Sequence, residues 1–155
     1  MGHYKYKGAE ALTVLHENQL RSFVSVWLKA KRKGIVLPVT DDPYYSSMNM
    51  LLFHVLQSAG GYLNWICRNL SLPDPQILPP PGEKHIEKEA KRYLAYLLEK
   101  WENRLCDVEP AAFEDKVFES NWGVPFCIDA MLEHAVMHPL RHEYQLINLM
   151  EQQKK

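Results

Sequence analysis

Three histidines at strict four-residue intervals, His134, His138 and His142, stand in the stretch HAVMHPLRHEYQL near the C-terminus. On a helix, residues four apart lie on one face with their Cβ atoms roughly 6 Å apart. Two imidazoles at that spacing reach one metal ion, as they do in helical zinc motifs. The neighbouring residues say which two face inward. Met131, Ala135, His138, His142, Gln145 and Leu149 advance by 4, 3, 4, 3 and 4 residues, the seam by which a helix meets its bundle partners. His138 and His142 take consecutive seam positions, and His134 sits one position off. The alternative is a pair of hydrogen-bonded core histidines, each costing about 1–3 kcal/mol if left without a partner. A third imidazole from another helix would favour the metal.

Positioning such a set needs at least two helices, and glycine and proline divide the chain into four helical blocks. The first is expected from about Ala9 to Lys33, with Leu12, Leu15, Leu20, Phe23, Trp27 and Ala30 as its apolar stripe. Its basic end, KAKRK (Lys29–Lys33), suits the helix dipole. The second opens at Pro43 behind Thr40, Asp41 and Asp42 and runs to about Asn69, with Gly60–Gly61 marking a close helix contact. SLPDPQILPPPGEK follows, a proline-rich linker long enough to cross over along a bundle. The third block spans roughly Glu83 to Leu105. A second connection, Cys106 to Gly123, leads to Pro125 and a fourth helix ending near Gln152. Strand-like alternation is not expected anywhere. The fold class is all-α: one four-helix-bundle domain over residues 1–155, with the long crossover between helices 2 and 3.

His54 falls mid-way along the second helix, beside Met48, Leu51, Val55, Ala59, Tyr62 and Ile66, while His138 and His142 fall mid-way along the fourth. At about 1.5 Å of rise per residue, all three share a depth whichever way the helices run. Three imidazoles with open coordination positions are the arrangement of a catalytic rather than a structural metal. Imidazole suits zinc, nickel, copper or iron, and zinc or nickel is ranked first. Gln145 shares the seam and either orients a histidine or touches substrate. His134 either backs a ligand, substitutes for one, or is an exposed histidine. Glu143 points away and is expected to be solvated. Pro139 removes the backbone bond to Ala135 and should kink the helix beside His138. His3, His16 and His85 receive no role.

Composition narrows the classes. The chain has 155 residues, 46% of them hydrophobic, enough for one buried core. A net charge of −1 offers nucleic acid no electrostatic footing. Three widely spaced cysteines, without a CxxC pair, fit a reduced cytoplasmic setting. No apolar run approaches the roughly 18 residues a membrane span needs.

LLFHVLQSAGGYLNWI and HAVMHPLRHEYQL together resemble the second and last helices of the DinB-like, damage-inducible family of metal-binding four-helix bundles. As an architecture the resemblance covers nearly the whole chain. Family members typically read H-x-x-N-H-x-x-x-H-R-G-Q in the last helix, and the three family ligands fall on His54, His138 and His142. Met137 stands where the asparagine is usual, Pro139 intrudes, and Glu143–Tyr144 replace Arg–Gly, while Gln145 is kept. The resemblance implies a divalent transition metal, a small-molecule substrate such as a low-molecular-weight thiol, thiol S-transferase chemistry and a homodimer. An apolar surplus on helix one, at Val14, Val24 and Val26, points to a dimer as well. The competing functions are a metal-dependent hydrolase and a non-enzymatic metal- or ligand-binding stress protein. No general base is evident beside the histidines, which disfavours hydrolysis.

Overall fold

The computed structural model describes residues 3–153. It is mostly helical, with four long helices: α1 (Lys7–Arg32), α2 (Met48–Asn69), α3 (Glu83–Trp101) and α5 (Ile128–Gln152). A single turn, α4 (Ala111–Glu114), and a two-residue hairpin, β1 (Phe118–Glu119) with β2 (Pro125–Phe126), occupy the connection before α5. That hairpin corrects the expectation of no strand. It is too short for alternation to show in the sequence, and its turn is made by Gly123 at φ +78°. No helix among the described residues is long and apolar enough to cross a membrane.

Helix starts follow side-chain capping rather than proline position. Pro43 opens only a 3₁₀ turn, Pro43–Tyr45, which Asp42 caps by accepting the Tyr44 N–H at 2.9 Å. Ser47 then turns extended (φ −156°, ψ 161°) and accepts the Met50 N–H at 3.0 Å, so α2 begins at Met48 and not at Pro43. Serine at an N-cap satisfies a backbone donor that the first turn otherwise orphans. This break lets Tyr44 and Tyr45 leave the helix axis. In the same way Cys127 accepts the Ala130 N–H through sulfur and starts α5 at Ile128, beyond the expected Pro125. α3 stops at Trp101 instead of Leu105, where Glu102 leaves helical geometry (ψ 127°). α5 runs unbroken through Pro139.

Buried residues of all four long helices belong to one hydrophobic cluster. Trp27, Trp65 and Trp101 are fully buried, and each spends its indole N–H on a backbone carbonyl of a distant segment: Met48 at 2.6 Å, Glu119 at 2.9 Å and Ala59 at 3.2 Å. A buried indole needs such an acceptor, so these three bonds fix how the elements sit. Gly60 permits a close approach, since a Cβ there would lie 3.1 Å from Ile77 of the linker, whereas Gly61 has nothing within 4 Å. The close approach at Gly60 is thus to the linker, with the nearest α3 atom, of Leu97, at an ordinary 3.8 Å, and not the close helix contact expected of the pair. On α1, Leu15 is exposed and His16 is buried in its place. Val24 is buried too, which removes it from the apolar surplus. His16 packs edge-on against Trp101 at 4.5 Å, and its Nε2 is buried without a partner.

Candidate metal centre

α2 and α5 cross so that His54, His138 and His142 face one point. One ligand nitrogen from each lies within 4.8 Å of the others, and no other group of three or more potential ligands occurs among the described residues. His54 Nε2 and His138 Nε2 are 3.0 Å apart. Two nitrogens held about 2.0–2.1 Å from one tetrahedral ion would be about 3.3 Å apart. The pair thus needs only a few tenths of an ångström to share a metal. Without a metal, one proton between them makes a hydrogen bond. Nδ1 of His138 is buried without a partner.

All three rings are held neutral, with lone pairs free for coordination. Burial pushes His138 down to about 2, and the neighbouring imidazoles push it further the same way. Burial, then the His142 ring, lowers His54 to about 4. Burial also lowers His142, against an opposing contribution from its bond to Gln145. Removing imidazole from water penalises its cation, and adjacent imidazoles repel a second positive charge.

Tyr45 and Gln145 set the orientation of His142. Its Nδ1 donates to Gln145 Oε1 at 3.0 Å, and the Tyr45 hydroxyl donates to the same oxygen while lying 3.2 Å from Nδ1. An amide oxygen only accepts, so the proton sits on Nδ1 and the lone pair on Nε2. Partners of this kind fix the tautomer of metal-binding histidines, and losing one typically costs about 10–100-fold in metal affinity. Gln145→Met is accordingly expected to weaken metal affinity by about that factor while keeping one metal per chain. Competition with a chelator of known affinity measures it.

Tyr44 stacks on His54 with ring centres 4.2 Å apart, at 26°. Neither tyrosine of this turn was singled out by the sequence, because both look like ordinary helix residues until Ser47 breaks the chain. The signal was present as S-S-M-N, a serine N-cap ahead of an apolar run.

His134 is not an exposed histidine. It lies half-buried among rings: Trp122 stacks on it at 5.2 Å, and Tyr62 and Phe126 meet it edge-on at 5.3 and 5.6 Å. Glu143 is not solvated either. It accepts from Gln19 Nε2 at 2.6 Å and Ser22 Oγ at 3.0 Å, tying α5 to α1, because its helical position faces that neighbour. Asp42 is occupied in capping the 3₁₀ turn.

Among the described residues no carboxylate is hydrogen-bonded to the three imidazoles, while the Asp42 charge opposes the lowering of His54 and His142. What the arrangement can do is hold a divalent cation on three neutral nitrogens, and a cleft of about 450 Å³ lies beside His54 and His138. Comparison of the chain with family models, with curated proteins and with solved structures finds no match.

Proposed function

We propose that His54, His138 and His142 hold one divalent transition metal, with zinc or nickel ranked first, and that the chain is a DinB-like thiol S-transferase. The observation that carries the reading is the convergence of three neutral imidazoles from two helices on one point, with ligand atoms within 4.8 Å. An all-nitrogen set of borderline softness suits zinc or nickel better than magnesium or calcium, which take oxygen ligands. Bound there, the ion would lower the pKa of a coordinated thiol and so supply a thiolate at neutral pH.

The protein's own residues have simpler tasks. Tyr45 and Gln145 orient His142, Tyr44 covers the His54 ring, and the adjacent cleft takes the organic part of the substrate. Thiol transfer needs no partner base, and neither Glu143, bonded to Gln19 and Ser22, nor Asp42, which caps the 3₁₀ turn, is hydrogen-bonded to the imidazoles. This is what ranks it above metal-dependent hydrolysis. Cys67, Cys106 and Cys127 lie outside the imidazole group, so the thiol would come from a small molecule.

The four-helix-bundle reading, with the linker as a crossover, gains support from contacts along α2 and α3. Ser47 Oγ meets Glu83 and the Ala59 carbonyl meets Trp101, so both helices run the same way. A homodimer would use the exposed stripe Met137, Leu140 and Tyr144 on α5. Sedimentation at micromolar concentration that finds only an 18.1 kDa species would overturn the dimer.

The functional test pairs an electrophile with several low-molecular-weight thiols, beside a panel of esters and amides, using protein purified without a histidine tag. Metal-dependent conjugation supports the proposal. Turnover confined to the esters and amides reverses the ranking, and silence in both leaves a metal- or ligand-binding protein.

A further inference from the structure

The cleft next to the triad has a wall of its own making. Its outer side is Trp122, carried on the short loop between β1 and β2. That loop is closed by Ser120 N–H to the Val124 carbonyl at 2.8 Å and by Val124 N–H to Ser120 Oγ at 3.0 Å. The Trp65 indole N–H, donating to the Glu119 carbonyl at 2.9 Å, pins the hairpin onto α2. A hairpin of two residues per strand contributes little stability by itself, yet here it holds a half-exposed indole flat over His134. The lining also carries a second stacked pair, Tyr44 on His54. Gly61, part of the same lining, leaves open space where a side chain would intrude.

The lining of this cleft includes Tyr44, Tyr62, Trp65, Trp122 and His134, with Gln57, Ser58 and Asn121 as its uncharged polar groups, and no Asp, Glu, Lys or Arg. In the metal-free cleft a charged ligand would find no ion partner among the lining residues, so giving up water costs it more than it costs an uncharged one. A flat aromatic ring would instead meet ring surface from Tyr44, Tyr62, Trp65 and Trp122 along the lining. The volume, about 450 Å³, falls within the usual span for small-molecule sites, about 300–1,000 Å³.

We infer that this cleft binds an uncharged, planar aromatic molecule alongside the imidazole triad, held by Trp122 and Tyr44 and admitted by the absence of a side chain at Gly61. Its role as the electrophile's subsite rests on the proposed transferase reading. The binding itself does not, because none of the cleft's walls needs a metal.

The test is therefore run on metal-free protein by titration calorimetry with two near-isosteric probes, naphthalene-2-carboxamide and naphthalene-2-carboxylate. The carboxamide should bind at least about tenfold more tightly than the carboxylate. Gly61→Leu, which fills the open space, should weaken the carboxamide at least about tenfold. Trp122→Ala, at a half-exposed loop residue, should also weaken it. Metal stoichiometry, measured separately, should be the same in Gly61→Leu as in the wild type. Equal affinity for the two probes, no carboxamide binding, or carboxamide binding unchanged in both variants overturns the inference. A wild type that holds no metal overturns the metal reading alone and leaves the calorimetry to decide the cleft.

Discussion

Replacing His138 by leucine is expected to strip the protein of stoichiometric metal and, at the same time, to make the metal-free protein at least as stable as the wild type. The two effects come from one atom set. His138 Nε2 is one of the converging nitrogens, while its Nδ1 is buried without a partner at a residue only 8% exposed. An unsatisfied buried polar group costs about 1–3 kcal/mol, which leucine of similar volume does not incur. In the other direction, a metal at about 1,000 times its Kd adds about 4 kcal/mol to a native state that alone binds it.

The ranking of the two proteins should thus invert with conditions. In chelator the variant should melt at or above the wild type. In saturating zinc or nickel the wild type should melt higher, by about 2–4 °C for each kcal/mol in a chain of this size. Elemental analysis of tag-free protein should find one metal per chain in the wild type and none in His138→Leu or His142→Ala, with His134→Ala unaffected. Metal retained in His138→Leu would place the ligands elsewhere. A variant more stable under both conditions, with no metal in the wild type, would make the triad a set of core polar residues.

A second large effect lies far from the triad. His16 is 2% exposed and its pKa is lowered from the ordinary 6.5 to about 3, the cause being burial. The native state keeps this ring neutral, whereas the unfolded chain takes up a proton as pH falls below 6.5. Stability is therefore intact above pH 6.5 and is lost progressively toward pH 3, by about 1.4 kcal/mol per pH unit for this one group. At pH 5 the loss comes to about 2 kcal/mol.

His54 and His138 are lowered in the same direction, to about 4 and about 2, so the whole protein should be acid-sensitive. His16→Met isolates the one contribution. Urea unfolding at pH 7 and pH 5, on metal-free protein, should show the variant losing about 2 kcal/mol less than the wild type across that interval. Parallel losses in the two proteins would mean that the ring is charged in the native state. The small cavity beside it, about 30 Å³ and lined also by Tyr4, Glu10, Thr13 and Glu17, has room for about one water to meet its orphaned nitrogen.

The periodicity of apolar residues was enough to locate the four long helices to within a few residues and to bring His54, His138 and His142 to one depth. Burial on a helix face is a local, repetitive property, so Met48, Leu51, Val55, Ala59, Tyr62 and Ile66 on α2 and Ala90, Tyr93, Leu94, Leu97, Leu98 and Trp101 on α3 could be read in advance as core. The spacing of His138, His142 and Gln145 likewise fixes which residues share a helix face, before any tertiary contact is known.

What only the tertiary structure decided depends on contacts between segments far apart in the chain. The Ser47 cap that starts α2 is local and stood in the sequence as S-S-M-N, but that Tyr45 of the preceding turn meets His142 and Gln145 depends on how that turn packs against α5. Glu143 turns from a solvent residue into a link to Gln19 and Ser22 only because α1 packs there. His16 rather than Leu15 enters the core, since the phase of a helix against its neighbours is set by packing and not by hydropathy alone. Trp122 reaches His134 through a hairpin too short for any periodicity to announce. Patterns in sequence specify which face of an element is buried; which distant side chains meet across that face is settled only when the elements pack.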